Sequence, residues 1–403
     1  MWFLLLICLA QAFQPAQVPS RQSAARLAIH STAAKTRTAT ADFVGDEACR
    51  SCHAQKTDAY HKTAHYLTSQ IANKNSVVGT FEDGENVLRT SNPKLFFRMD
   101  SNVKGLFETA VFGNPPDTWS RTERLDLVIG SGGKGQSYLF WDEDELFELP
   151  VGYSTVLKQW INGPGYKDGT ANFERGIIPR CLECHATYFQ ALEPIPTNHR
   201  YDKTNFVLGI SCERCHGSGR EHVARMSSHA ATGSDLAIVN PAKLPQDRQF
   251  EICSQCHGGQ GVRELAPAFS YVPGQPLANY VDLGPIDTGA APDVHGTQVV
   301  LLEKSRCFQA SSKMSCATCH DVHQPERNLA KFSEKCLTCH KPEKCGEYAK
   351  LGAGIVNDCV DCHMPNQESK TVFLDVNGKQ VNPRFRSHWI KVYAGASGQH
   401  SSN

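Results

Sequence analysis

The sequence predicts a chain built mainly of short α-helices and irregular loops wrapped around stacked prosthetic groups, with one small antiparallel β insertion. Three observations predict it. The pattern Cys-x-x-Cys-His occurs seven times. Six copies crowd between Cys181 and His363, roughly 30 residues apiece, too little chain to bury a conventional core. Between residues 76 and 155, where the pattern is missing, apolar residues alternate or cluster as strands do.

The copies are Cys49-Cys52-His53, Cys181-Cys184-His185, Cys212-Cys215-His216, Cys253-Cys256-His257, Cys316-Cys319-His320, Cys336-Cys339-His340 and Cys359-Cys362-His363. Cys and His each number 17 in 403 residues, so about 0.03 copies are expected by chance. Two thiols one helical turn apart can add to the two vinyl groups of one haem, and the adjacent histidine then reaches its iron. Zinc takes Cys-x-x-Cys pairs two at a time, and gives no reason for a histidine after every pair. A redox Cys-x-x-Cys needs only one copy on a βαβ unit. The expectation is seven covalently attached haem c groups in a multihaem cytochrome. Their faces supply much of the apolar interior.

Lysine plus arginine equals aspartate plus glutamate, 41 each, so there is no basic field for nucleic acid. Residues 1–12 resemble a short signal peptide ending in Ala10-Gln11-Ala12, although no Lys or Arg precedes the apolar run. No other run approaches the roughly 18 apolar residues of a transmembrane span. Together with covalent haem, this points to a periplasmic or otherwise exported protein, soluble after leader removal. Residues 13–41, rich in Ala, Ser, Thr, Gln and Arg, read as a disordered linker.

Residues 42–75 form the first haem segment, in which His61 and His65 share a helix face. Residues 76–155 form the β-rich insertion. Its Gly130-Ser131-Gly132-Gly133-Lys134-Gly135 run matches a dinucleotide fingerprint but leads into a strand-like stretch, so it reads as a hairpin loop. Residues 156–392 form the six-haem region, punctuated by Gly and Pro. Residues 393–403 are a tail.

Each iron has a second axial position. A histidine there gives a low-spin electron-transfer site, a methionine raises the potential, and an empty position allows chemistry. Ten histidines lie outside the motifs. His30 and His400 fall in the tails. The preferred distal ligands are His65, His222, His295, His323 and His388, with His199 next; His61 and His229 read as surface residues. His323 follows His320 too closely to reach the far side of the same haem, so it should serve a neighbour. Met99, Met226, Met314 and Met364 read as packing residues. Cys307 and Cys345 remain for a mutual disulfide, with thiolate ligation as the alternative.

On these residues the chain resembles the multihaem cytochromes related to the cytochrome c-554 family. Cys49 to His53 with Tyr60 and His65 is similar to that family's opening segment. Cys212 to Gly219 with His222 is similar to its Cys-x-x-Cys-His-Gly-x-Gly-x-x-His segment. Cys316 to His323 looks like the doubled-motif cytochromes. Cys359 to Pro365, ending His363-Met364-Pro365, resembles a segment of the pentahaem nitrite reductases and octahaem hydroxylamine-oxidising enzymes. The resemblance implies closely stacked haems, a periplasmic location, and a redox donor and acceptor that can be membrane-bound. It also implies that one haem can be high-spin. The leading expectation is an electron-transfer protein without assigned catalytic residues. The alternative is an oxidoreductase acting on a small nitrogen or sulfur compound at one five-coordinate haem. Pentahaem nitrite reductases often use a lysine proximal ligand, whereas all seven motifs here end in His. A third reading makes the β insertion a docking surface within a larger complex.

Overall fold

Ten strands follow the first motif and hold the largest apolar core; smaller buried clusters lie around Tyr188 and Tyr201 and around Ile252 and Tyr271 in the motif-dense region. The computed structural model describes residues 43–228, 236–259, 262–284, 292–376 and 378–393. The leader, the linker, the tail beyond Tyr393, and His30, His229 and His400 lie outside the described residues.

Helix α1 (Asp46–Tyr60) carries the first motif. Asp46 and Glu47 in its first turn favour the helix N-terminus. Its helical geometry breaks at His53, with φ −116° and ψ 36°. The strands are β1 (Ser69–Ile71), β2 (Val87–Arg89), β3 (Leu95–Asn102), β4 (Gly105–Asn114), β5 (Asp117–Arg124), β6 (Leu127–Ile129), β7 (Gly135–Asp142), β8 (Glu145–Glu148), β9 (Val151–Ser154) and β10 (Gln159–Asn162). All their pairings are antiparallel. β2-β3-β4-β5 form one sheet, and β1-β6-β7-β9-β10 form another with β8 on β7. Period-2 burial puts Leu95, Phe97 and Met99 of β3 inward. They pack with Tyr138, Phe140, Val151 and Trp160. Trp160 donates its indole N–H to the Thr80 carbonyl at 2.8 Å. The Gly130–Gly135 run is the β6–β7 hairpin loop.

Beyond the sheets come α2 (Pro179–Glu183), a hairpin of β11 (Ala186–Ala191) and β12 (Tyr201–Leu208), α3 (Cys212–His216), α4 (Arg220–Ser227) and α5 (Gln246–His257). A minimal hairpin, β13 (Arg263–Glu264) with β14 (Val281–Asp282), precedes α6 (Gln298–Glu303), α7 (Arg306–Gln309), α8 (Cys316–Cys319), α9 (Leu329–Leu337), α10 (Tyr348–Leu351) and α11 (Cys359–His363). Two hairpins close the chain, β15 (Asn366–Glu368) with β18 (Arg384–Arg386) and β16 (Leu374–Val376) with β17 (Lys379–Val381).

The expectation of mainly short helices and loops is therefore corrected. Helix accounts for 28% and strand for 26%, so neither dominates. The physical reason is that the strands bury a conventional apolar core without help from a prosthetic group, and hairpins recur between motifs and after the last one. The strands also begin before residue 76 and continue past residue 155.

The two regions are fastened by polar contacts. Ser69 donates to the His185 carbonyl at 2.6 Å and accepts from the Gly209 N–H at 2.8 Å. Gly209 has φ +64°, and a Cβ there would lie 2.1 Å from the Tyr66 carbonyl oxygen, so only glycine fits. The Tyr60 hydroxyl reaches the Ile210 carbonyl at 2.6 Å.

Candidate haem-binding cleft

A single connected cleft of about 4530 Å³ is lined by all seven Cys-x-x-Cys-His motifs. Shared among seven, it offers about 650 Å³ each, inside the 300–1,000 Å³ range of ligand pockets. Five of the motifs sit on short helices, so each pair of thiols projects from one turn with the histidine at the helix end.

Within the cleft, histidines from distant parts of the chain face each other in pairs. His53 faces His222 with ring centres 6.5 Å apart and planes 12° from parallel. His216 faces His323 at 6.1 Å and 30°. His320 faces His388 at 6.2 Å and 26°. His65 and His257 stand 6.1 Å apart at 79°. His185 interacts electrostatically with His295. A metal between two imidazoles, bonded to each at about 2 Å, separates the ring centres by about 6 Å. The pairs joined by ring contacts therefore leave the space one haem iron requires.

The outer ring nitrogens are held as metal-bound histidines need. Nδ1 of His216 lies 2.8 Å from the Val239 carbonyl, and that of His222 lies 2.8 Å from the Leu236 carbonyl. His185 Nδ1 meets Thr68 Oγ1 at 3.0 Å, and His257 Nδ1 meets Gln298 Oε1 at 3.1 Å. His363 Nδ1 lies 2.9 Å from the Lys391 carbonyl. These contacts leave Nε2 turned to the cleft. Burial pushes the His65, His185 and His388 imidazoles down to about 4, so all three are neutral, as ligation requires.

His199 is not brought to any motif. Its Nε2 faces Glu145 at 3.3 Å and its ring stands edge-on to Phe147 at 5.0 Å, both on β8. Its Nε2 thus faces a carboxylate of the β region, unlike the other five candidate distal histidines, which meet motif histidines. His61 likewise spends Nε2 on Asp46 at 3.2 Å and stacks on Tyr66. Among the described residues, no histidine ring faces His340 or His363. Cys307 and Cys345 are free thiols lining the same cleft, without the mutual disulfide expected of them. Met99 is buried in the β core, while Met226, Met314 and Met364 line the cleft.

The motifs meet through their cysteines, and not in chain order. Cys49 and Cys212 lie with Asp46 in a group whose ligand atoms are all within 4.8 Å of one another. Cys184 neighbours Cys256, and Cys253 neighbours Cys316. Cys215 neighbours Cys253, while Cys319 and Cys359 both neighbour Cys336.

The family profile for cytochrome c554 and c-prime matches residues 166–217, which contain the second and third motifs. Dissimilatory sulfite reductase MccA of Wolinella succinogenes is 21% identical over 396 residues, covering 80% of this chain and 50% of that protein. The chain thus spans about half the length of this curated relative. The crystal structure of the outer cell wall cytochrome OcwA superposes with a TM-score of 0.52 at 17% identity, covering 87% of this chain and 80% of that one. The chain is a multihaem c-type cytochrome.

This cytochrome carries covalently bound haem c. Its cleft fits the cofactor on three counts: paired thiols in every motif, facing imidazoles, and Nδ1 atoms tethered from behind. No described helix is long and apolar enough to cross a membrane.

The sequence reading passed over the residues between the paired cysteines. Glu183, Glu213 and Arg214 occupy such positions and are all buried. The adjacent charges of Glu213 and Arg214, both inside one motif, were the available signal.

Proposed function

We propose that the protein is an exported electron-transfer cytochrome with seven haems, five of them bound between two histidines. In this reading His53, His185, His216, His257, His320, His340 and His363 are the proximal ligands. His222, His295, His323, His65 and His388 are the distal ligands of the first five, in that order. Bound haem supplies one-electron exchange at low potential when both axial ligands are histidine. The facing histidine pairs carry this reading. The cysteine neighbours order the groups as first, third, fourth, fifth, sixth and seventh, with the second branching at the fourth. Exposed His53 and His340 lie near opposite ends of that series, where a donor and an acceptor protein could approach.

A second reading rests on a separate observation. His340 and His363 have no facing histidine among the described residues, which favours an open axial position in the C-terminal pair. There the protein would act as an oxidoreductase on a small sulfur or nitrogen oxyanion, and similarity to a sulfite reductase supports this.

Quantitative electron paramagnetic resonance of the oxidised, fully loaded protein decides between them. Five low-spin and two high-spin haems, with nitric oxide or cyanide binding the latter, would support an open site. Sulfite or nitrite should then reoxidise the reduced protein. Seven low-spin haems would leave only the carrier reading. Fewer than five low-spin haems would overturn the histidine pairing.

A further inference from the structure

We propose that Arg180, Glu183 and Arg214 form a buried charge triad that sets the reduction potentials of the haems on the second and fourth motifs. The inference rests on the haem assignment above.

Glu183 lies between Cys181 and Cys184, and Arg214 lies between Cys212 and Cys215. Both side chains are almost fully buried, at 8% and 7% exposure, and Arg180 is at 19%. Arg180 donates to Glu183 Oε2 at 2.8 Å, and to the Gln255 carbonyl inside the fourth motif at 2.7 Å. The Phe269 N–H donates to Glu183 Oε1 at 2.6 Å. Arg214 stands 3.7 Å from the same carboxylate and donates to the Glu183 backbone carbonyl at 3.2 Å. The Cys256 sulfur lies 3.7 Å from that carbonyl. The triad therefore touches the second, third and fourth motifs at once. Both guanidiniums act electrostatically on Cys184 and Cys256, the thiols through which the second and fourth haems are attached.

Within the triad two guanidiniums face one carboxylate; Glu264 also lies within electrostatic reach of Arg180 and Glu183, but burial pushes its pKa up and favours its neutral form. The excess is therefore positive, in a region shielded from water, where charges act far more strongly than at the surface. Reduction of a haem adds one electron. A nearby positive charge stabilises that state and raises the potential; a nearby negative charge lowers it. A structural staple has no reason to move potentials in opposite directions when its positive and negative members are neutralised in turn.

The test is a spectroelectrochemical titration of the holoprotein and three variants. Peptide mass spectrometry first establishes haem on the Cys181–Cys184 and Cys253–Cys256 peptides. Arg214→Met should lower the midpoints of the second and fourth haems, together with that of the third, whose Cys215 also feels Arg214. Glu183→Gln, nearly isosteric, should raise the second and fourth. Arg214→Lys, which keeps the charge, should stay near the parent. Shifts of the same sign in Arg214→Met and Glu183→Gln, or none in either with all haem retained, would overturn the triad's role. If Arg214→Met does not accumulate, the opposed signs are read from Glu183→Gln and Arg180→Met. Absence of haem from either peptide in the parent would instead overturn the haem assignment, and is seen before any potential is measured.

Discussion

Replacing Glu213 by alanine should loosen one histidine pair and destabilise the whole fold. Glu213 is 3% exposed. Its Oε1 accepts from the Val44 N–H at 3.0 Å and the Gly219 N–H at 2.8 Å, and its Oε2 accepts from the Gly45 N–H at 3.0 Å. Gly45 and Gly219 are the N-cap positions of α1 and α4, and neither helix has a side-chain cap of its own. One carboxylate therefore caps both helices, favourably placed at their positive ends. These helices carry His53 and His222, which face each other at 6.5 Å. Hydrogen bonds to a charged group contribute about 1.5–3 kcal/mol each, and water recovers part of that when three donors are orphaned. The expected cost of Glu213→Ala is about 3–5 kcal/mol, with Glu213→Gln falling between it and the parent. Denaturant titration of the holoprotein followed by circular dichroism measures it. Electron paramagnetic resonance should show one further haem of seven turning high-spin. A loss below about 1 kcal/mol with an unchanged spectrum would refute the double-cap argument.

Other expectations are simpler. His222→Ala should convert one low-spin haem to high-spin, whereas His199→Ala should leave the spin count unchanged; the same spectroscopy checks both. Phe97→Ala should cost about 3–5 kcal/mol in thermal or denaturant unfolding without altering the haem spectrum, because Phe97 sits in the β core. Glu108 is buried in that core with Oε1 unpartnered, and burial pushes its carboxyl well above the ordinary range. An acid raised in the folded state stabilises most below its unfolded pKa, and that contribution is lost as pH rises through the folded value. Glu108→Gln should therefore gain melting temperature over the parent as pH rises above about 4.5, with little difference below it. A difference that stays flat with pH would refute it. Gly209→Ala should sharply reduce the yield of folded holoprotein, since the new Cβ would collide with the Tyr66 carbonyl.

Much of the site was legible in the sequence because covalent attachment demands a rigid local spacing. Fourteen cysteines and seven histidines announce themselves within five residues of each other. The facing pairs were not legible. His65 meets His257 and His222 meets His53 through turns and helices whose relative placement is fixed only by tertiary packing. The same holds for His199, which looked equivalent to the others until β8 placed Glu145 beside its Nε2. Strand content was underestimated for another reason. The dense motifs between Cys181 and His363 leave little chain for a core there, yet Leu95, Phe97 and Tyr138 build one outside that region. The short hairpins at 186–208 and 366–386 have no long alternation to betray them. The burial of the motifs' internal charges, Glu183, Glu213 and Arg214, is not legible in the sequence, because only the fold creates it.

The order in which the motifs meet bears on how such a chain can be cut or recombined. The first touches the third and the second touches the fourth, so the first four are braided, whereas the fifth, sixth and seventh follow one another in space as in sequence. A deletion or gene fusion breaking inside the first four would strip partners from both sides of the break. One falling after residue 323 would keep the first four motifs but remove His388, which faces His320, and the Ser369 and Asp375 contacts with Asp293 and Asp168. The C-terminal segment therefore reaches back over the array, and a terminus placed before residue 388 would cost the fifth motif its facing histidine.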